Sequence, residues 1–497
     1  MLAPSLLSAL TLVSAAAGAL AATADQWRGR SIYQVVTDRF ARTDGSTTAA
    51  CNTADRVFCG GTWRGIINKL DYIQDMGFTA IWISPVIEQI YGNTDEGEAY
   101  HGEFPLLGYW PKDYYTLNPN FGTEQDLNDL VTALHDRGMY VMVDIVVNHF
   151  ASWGDGSIPY SELVPFNNSS YFHKKCWINW SNQASVEQCW MGNGQVPLMD
   201  LDTENTYVVN TLEAYIADFV KEYSVDGLRI DATKNVRKDF WPGFCKAAGV
   251  YCQGEVWSND PSYFCPYQNV MDGLHNYPIK EYAASAFQTS KGSLTNLVSV
   301  ASKLTNQCKD VSLLGSFMEN QDNARMGSLT TDMARLKNYA ALNIFSGGIP
   351  VVYYGQEQLL TGASDPNNRE ALWLTGYPTT GANLVAYFTQ LNTLRNAIST
   401  RGKDKGFLTA KPIYKTLSAS VLSVRKGNML LALTNAGSGA AAKVTADGFG
   451  VGVKLMDVLA CEETRAGWKG ELPFWIGAEP KLFYPKALLA GSGICGL

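Results

Sequence analysis

The chain has no run of five or more basic residues, and only 17% of its 497 residues are charged. Its 39 Lys and Arg are outnumbered by 47 Asp and Glu, for a formal net charge of −8. That balance offers no electrostatic footprint for nucleic acid or anionic membrane. After the first 21 residues no apolar run reaches roughly 18, the length that crosses a bilayer, so a membrane-spanning protein is not expected. The C-terminal GSGICGL lacks the hydrophobic tail of a lipid-anchor signal. Internal repeats and low-complexity linkers are also absent. What is present is 46% hydrophobic and 12% aromatic residue, including 13 Trp and 25 Tyr. Such a chain can bury a large core and face a ligand with flat rings.

Residues 1–21, MLAPSLLSALTLVSAAAGALA, are apolar, carry no acid and close on Ala-Leu-Ala. This is the pattern of a secretory leader cleaved after Ala21, although the usual Lys or Arg near the start is missing. A secreted, extracellular chain with ten cysteines is expected to carry disulfides. Cys51/Cys59 and Cys176/Cys189 are close enough to close small loops. Cys461/Cys495 and Cys265/Cys308 are longer ties. Cys245 and Cys252 remain, and Cys252 is expected as a buried free thiol. Sequons at Asn167, Asn168 and Asn179 cluster in one polar stretch, which reads as an exposed, glycosylated region.

Strand-like and helix-like segments alternate. Residues 31–40, 79–86, 140–147, 227–231, 251–256, 313–318 and 349–354 read as strands. A sixth strand, in chain order, is harder to place and is set near 269–274. Helical stripes occupy 63–76 and the segment after Thr123, where Asp126 completes a capping box. Apolar strands alternating with helices mean a parallel sheet covered by helices, and their number fits a closed TIM-type (β/α)8 barrel. Residues 149–203 break the rhythm and read as an insertion after the third strand. From about 406 to 497 the pattern turns to short alternating strands, an antiparallel β-sandwich. The barrel is therefore expected over 22–148 and 204–405.

In such a barrel the chemistry sits at the C-terminal strand ends. Those ends carry Asp231 in GLRID, Glu255 in GEV and Asp322 in FMENQD. A single acid there could be a capping or salt-bridged carboxylate. Three together, with Arg229 two residues before Asp231, fit the paired carboxylates of glycoside hydrolysis. Arg229, on the same strand face, would keep Asp231 ionised.

The motifs DIVVNH, GLRIDATKN, GEVWSN, FMENQDNAR, AYHG, CNTADRVFCGGTWRGI, VEQCW, DPNNREALW and CPYQNVMDG together resemble the α-amylase family of glycoside hydrolases, and within it the fungal Taka-amylase type. The resemblance spans essentially the whole chain after the leader. It implies Asp231 as nucleophile, Glu255 as general acid/base, and Asp322 as the third acid, stabilising the transition state through sugar hydroxyls. Arg229 is implied as the nucleophile's partner and His149 as a sugar contact at the cleavage subsite. Lys234 would reach the aglycone side, Asp365 and Arg369 would hold a glycone sugar, and Tyr109 and Trp110 would form an aromatic platform. A structural calcium is implied at Asn148, Glu187, Asp200 and the backbone carbonyl of Asn235, between the barrel and the inserted subdomain.

The chain departs from the family pattern in several places. Asn235 and Gln321 stand where the family has His. Gln321 can donate a hydrogen bond but cannot become cationic, so slower starch hydrolysis is expected. Ser258 replaces an acid, Trp257 adds an aromatic, Arg56 replaces a neutral residue, and 103–107 is an insertion. The first expectation is a monomeric α-amylase cutting internal α-1,4 bonds of starch, glycogen or maltooligosaccharides. The alternative is a 4-α-glucanotransferase using the same covalent intermediate. A non-enzymatic glucan-binding protein is disfavoured, because all three acids are present.

Overall fold

The computed structural model describes residues 22–94, 97–98, 109–400, 404, 406–439 and 441–497. The expected leader, the AYHG motif and the insertion at 103–107 lie outside the described residues. Eight short parallel strands form the centre: β1 (Ile32–Val35), β2 (Ala80–Ile83), β3 (Tyr140–Ile145), β4 (Gly227–Ile230), β5 (Tyr251–Gly254), β6 (Gly273–Leu274), β7 (Gly315–Phe317) and β8 (Ile349–Tyr353). They pair in the order β6-β5-β4-β3-β2-β1-β8-β7. One parallel bridge, His275 to Gly315, joins the two ends and closes the barrel.

The strands are shorter than their apolar runs because each run continues into the loop at its end. Thus 37–40 is a short helix rather than strand, and β6 keeps only two of the residues expected for it. The stripe at 63–76 is two helices, Trp63–Ile67 and Leu70–Asp75. The capping box forms as expected, Thr123 accepting from Asp126 N at the head of Glu124–Asp136.

Side chains alternate in and out along each strand. Ile32, Ala80, Trp82, Met142, Tyr251, Phe317 and Val351 belong to the cluster that fills the barrel. Tyr33, Ile81, Ile83, Val141, Val143, Leu228 and Cys252 pack outward against the helices. Each such large apolar side chain contributes about 1.5–3 kcal/mol on burial. By the same alternation Gln34, Asp144, Arg229 and Gln253 face inward, toward the C-terminal mouth. All four are buried.

Within 149–203 a three-stranded antiparallel sheet forms from His149–Ala151, Pro197–Asp200 and Met191–Gly192. The C-terminal part is a six-stranded antiparallel sheet, running from Ile413–Ser418 to Lys481–Pro485 in the chain, with a two-stranded partner. Val421, Ala432, Val444 and Ile476 pack together between them. Asn435 ties this part to the barrel, donating to the carbonyls of Ala286 and Gly292, each at 2.8 Å. Four disulfides form: Cys51–Cys59, Cys176–Cys189, Cys265–Cys308 and Cys461–Cys495. Cys245 and Cys252 are free, and Cys252 is buried.

Candidate active site

One guanidinium organises the mouth of the barrel. Arg229, on β4, is buried opposite Asp144 of β3 and Gln253 of β5. Its Nη1 lies 3.0 Å from Asp144 Oδ1 and 2.9 Å from Asp231 Oδ1, while Nη2 lies 2.8 Å from Glu255 Oε1. Three carboxylates thus share one cation in a desolvated pocket. Burial, opposed by the Arg229 charge and reinforced by Glu255, pushes Asp231 well above the usual carboxylate range. Burial likewise lifts Asp144 to about 6. One positive charge is shared among three buried carboxylates, and burial disfavours the charged form of Asp231 and Asp144.

The two acids differ in how they are held. Glu255 Oε1 also accepts from the Tyr277 hydroxyl at 2.9 Å, and Oε2 accepts from Ala232 N at 3.2 Å. Asp231 is anchored through Oδ1 alone. Its Oδ2 is buried and has no hydrogen-bond partner among the described residues.

Asp322, past the end of β7, faces Arg369 Nη2 at 3.6 Å, and Asp365 Oδ1 lies 3.1 Å from Arg369 Nε. Burial and the neighbouring Glu255 charge raise Asp322 to about 7. Asp365 is raised by burial as well, against the pull of Arg369. The Gln321 carbonyl accepts from Asn368 Nδ2 at 2.9 Å and Arg369 Nε at 3.2 Å. These contacts bring the 317–325 and 365–373 motifs into one wall.

On the opposite side Lys234 Nζ donates to the Trp257 carbonyl at 3.1 Å and lies 5.1 Å from the ring centroid of Trp180. Trp257 stacks on Tyr277, centroids 5.1 Å apart and planes at 16°. The added aromatic therefore rests on the ring whose hydroxyl holds Glu255.

Tyr109 and Trp110 are both buried rather than open. Trp110 packs with Ile90, Ala151 and Leu198, a core role rather than a platform. Tyr109 donates its hydroxyl to Asp144 Oδ2 at 3.1 Å, and Arg229 lies 5.9 Å from its ring centroid. His149 is buried, and both its ring nitrogens are engaged, with the Tyr109 carbonyl at 2.9 Å and Asn148 at 3.2 Å. Sequence reasoning passed over Gln34, Asp144 and Tyr277. The first two carried a readable signal: a polar residue at an inward position of an apolar strand.

The Asn148 amide bears on the cation site that the resemblance implies. Burial lowers His149 to about 4, so its ring is neutral. With the proton on Nε2, where the Tyr109 carbonyl accepts it, Nδ1 must accept from Asn148 Nδ2. That leaves the Asn148 side-chain oxygen 3.0 Å from Asp200 Oδ1 and 3.0 Å from the Asn235 carbonyl. Turning the amide over would relieve these contacts only if both His149 nitrogens donated, which needs a buried imidazolium. The side-chain oxygens of Asn148 and Asp200 and the Asn235 carbonyl thus converge, with no amide donor between them. Asn235 spends its side chain on the Val186 carbonyl at 3.3 Å. Glu187 Oε1 accepts from Gln183 Nε2 at 2.6 Å. Nearby His173, Asp202 and Glu204 form a tight group of their own, with His173 paired to Asp200 at 2.6 Å and Glu204 at 2.9 Å.

The family model described as "Alpha amylase, catalytic domain" matches residues 34–412. The chain belongs to the alpha-amylase family. A second model, "Alpha-amylase, domain C", matches residues 412–497. Among family members, the chain is 48% identical over 487 residues to Alpha-amylase 2 of Schwanniomyces occidentalis, spanning 96% of this chain and 94% of that one. It is 46% identical to the Alpha-amylase of Saccharomycopsis fibuligera, spanning 95% and 94%. The solved structure of an alpha-amylase from Malbranchea cinnamomea superposes with a TM-score of 0.91 at 45% identity, covering 95% of this chain and all of that one. As a member of this family the chain is a glycoside hydrolase of the alpha-amylase type.

Proposed function

We propose that this hydrolase cleaves internal α-1,4-glucosidic bonds of starch- or glycogen-type glucans with retention of configuration. The observation that carries the reading is the unequal anchoring of two acids on one guanidinium. Asp231 has one oxygen fixed and one bare, which is what an attacking carboxylate needs. Glu255 Oε2, held only by the long contact to Ala232 N, is the oxygen suited to carry a proton.

In the first step Asp231 Oδ2 attacks the anomeric carbon while Glu255 gives its proton to the departing glycosidic oxygen. The sugar is then esterified to Asp231 and the aglycone leaves as an alcohol. In the second step Glu255 takes a proton from water, and the hydroxide formed displaces Asp231. Asp322, Asp365 and Arg369 bind hydroxyls of the glycone sugar. Lys234 and Trp257 lie on the aglycone side. His149, with both ring nitrogens engaged, acts in this proposal as a support for Tyr109 and Asn148. Identity of 46–48% across nearly the whole length of named alpha-amylases favours water over sugar as the acceptor.

The oxygen donors at Asn148, Asp200 and Asn235 fit calcium, which takes oxygen ligands from side chains and carbonyls. Bound there, calcium would add positive charge beside buried Asp200, which desolvation raises to about 8 although His173 lies 2.6 Å away. Glu187 belongs to this proposed set by sequence only. The segment 149–203 is proposed as the subdomain whose base that ion ties to the barrel. Exposed Asn167, Asn168 and Asn179 suit glycosylation in a secreted protein.

A time course with maltoheptaose, resolved by product length, tests the function. Products all shorter than seven glucose units are expected. Early products longer than seven would instead make the protein a glucanotransferase.

A further inference from the structure

We propose that Gln34, on β1, is a positioning residue for the reaction: it fixes which way round the Gln321 amide faces the cleft. The inference rests on the hydrolase reading above and names a component that reading lacks. The direction of each bond follows from the carboxylate end. Asp144 takes Arg229 on both oxygens, at 3.0 and 3.2 Å, and Trp82 Nε1 at 3.1 Å. It is an acceptor throughout, so the Tyr109 hydroxyl donates to it. The Tyr109 oxygen is left to accept from Gln321 Nε2, at 3.2 Å. Gln321 Oε1 is thereby turned the other way, where Gln34 Nε2 donates to it at 2.5 Å. Every bond points one way, from Gln34 through Gln321 and Tyr109 to the carboxylate beside Arg229.

All four side chains are buried. The Gln321 main chain is already held through its carbonyl by Asn368 and Arg369. Rotation of the amide is the freedom that remains, and Gln34 removes it. The cost of this arrangement is visible: Gln34 Oε1 is buried with no partner among the described residues. Ile32, the other inward residue of β1, is apolar and packs in the barrel core. A polar one with an unsatisfied oxygen is retained at a loss to the fold, which ties it to the site. The result is that the Gln321 amide is fixed with one Nε2 hydrogen left for a sugar hydroxyl, immediately before Asp322. A neutral imidazole at the same place would spend its single donor on Tyr109 and its single acceptor on Gln34, and would have nothing left for the sugar.

The test is a double-mutant cycle on the full-length protein: wild type, Gln34→Met, Gln321→His and the pair, each measured for kcat and KM on maltoheptaose and for melting temperature. Gln34→Met is expected to lower kcat three- to ten-fold, with KM within about twofold and the melting temperature unchanged or raised. Gln321→His alone is expected to lose activity, and to lose markedly less in the Gln34→Met background. Effects that multiply, or a Gln34→Met loss that tracks a fall in melting temperature, would overturn the inference while leaving the hydrolase reading intact. A wild type inert on maltoheptaose would overturn both.

Discussion

Two buried arginines near the mouth of the barrel, Arg229 and Arg325, are each set among acids, yet the acids are used differently. Arg325 Nε donates to Glu370 at 2.7 Å, and its Nη1 lies 3.5 Å from Glu319. Glu370 in turn accepts from the backbone nitrogens of Thr361 and Gly362 at 3.1 and 2.6 Å. Glu319 accepts from that of Met326 at 2.9 Å. These acids pin loops. Around Arg229 the one backbone donor among the described residues is Ala232 N, and Asp231 keeps a bare oxygen. Burial and an ion pair are common to both clusters, so neither marks a reactive site. A bare oxygen is common to both as well, Glu319 Oε2 and Asp231 Oδ2. What separates them is that each acid at Arg325 accepts from the main chain, whereas Asp231 and Asp144 accept from none among the described residues.

The sharpest way to break the comparison is to neutralise one acid at Arg229. Glu255→Gln should cost roughly 10²–10⁴ in kcat on maltooligosaccharides while binding persists, read by steady-state kinetics and calorimetry. Near-normal turnover would remove it from the mechanism. Arg325→Met should do the opposite. It strands buried Glu319 and half-buried Glu370 and should lower stability by about 3 kcal/mol in denaturant unfolding, with turnover per folded molecule little changed at low temperature. A third intervention reaches neither arginine. Stripping calcium with a chelator should lower the melting temperature, by an amount equivalent to about 3 kcal/mol when the ion is at a hundred times its Kd. A fully stripped sample with an unmoved transition would refute the site.

The smallest effect sharpens the electrostatic side. Asp322 sits at about 7 in the folded protein against an ordinary carboxylate value of 3.8. Its raised value means the folded state binds the proton more tightly. Stability is therefore lost as pH rises from about 4 to 7. Asp322→Asn should remove that loss, making the variant about 1–3 kcal/mol more stable than wild type at pH 7.5 and near-equal at pH 4, while inactive. A constant difference across this range would show that the acid's burial is not what strains the site.

The barrel was readable because its strands are apolar runs separated by helical stripes, a signal carried by many residues at once. Asp231, Glu255 and Asp322 were readable because an acid after such a run is conspicuous. Gln34 and Asp144 lie inside the runs, where the same apolar neighbours hide them. Only the strand register turns them toward the mouth. Trp110 shows the reverse error: an aromatic beside Tyr109 looks like a platform in sequence, but its ring belongs to the core of the insertion. Glu187 and Asn148 look alike as polar loop residues, and only the neutral tautomer of His149 distinguishes the one whose oxygen is turned toward Asp200.

The closure of the barrel rests on a narrow join. Strand β6 has two residues, and one bridge connects it to β7. At that join Gln268 exchanges two bonds with the Asp310 main chain, at 2.6 and 2.9 Å, as a strand neighbour would. The Cys265–Cys308 disulfide bonds the same two segments a few residues earlier. The cross-link thus acts as a rivet along a seam, placed where backbone stitching is sparsest and one strand away from Glu255. Reduction should loosen the cylinder there first, with amide exchange at 273–277 and 313–317 quickening before the rest of the wall gives way.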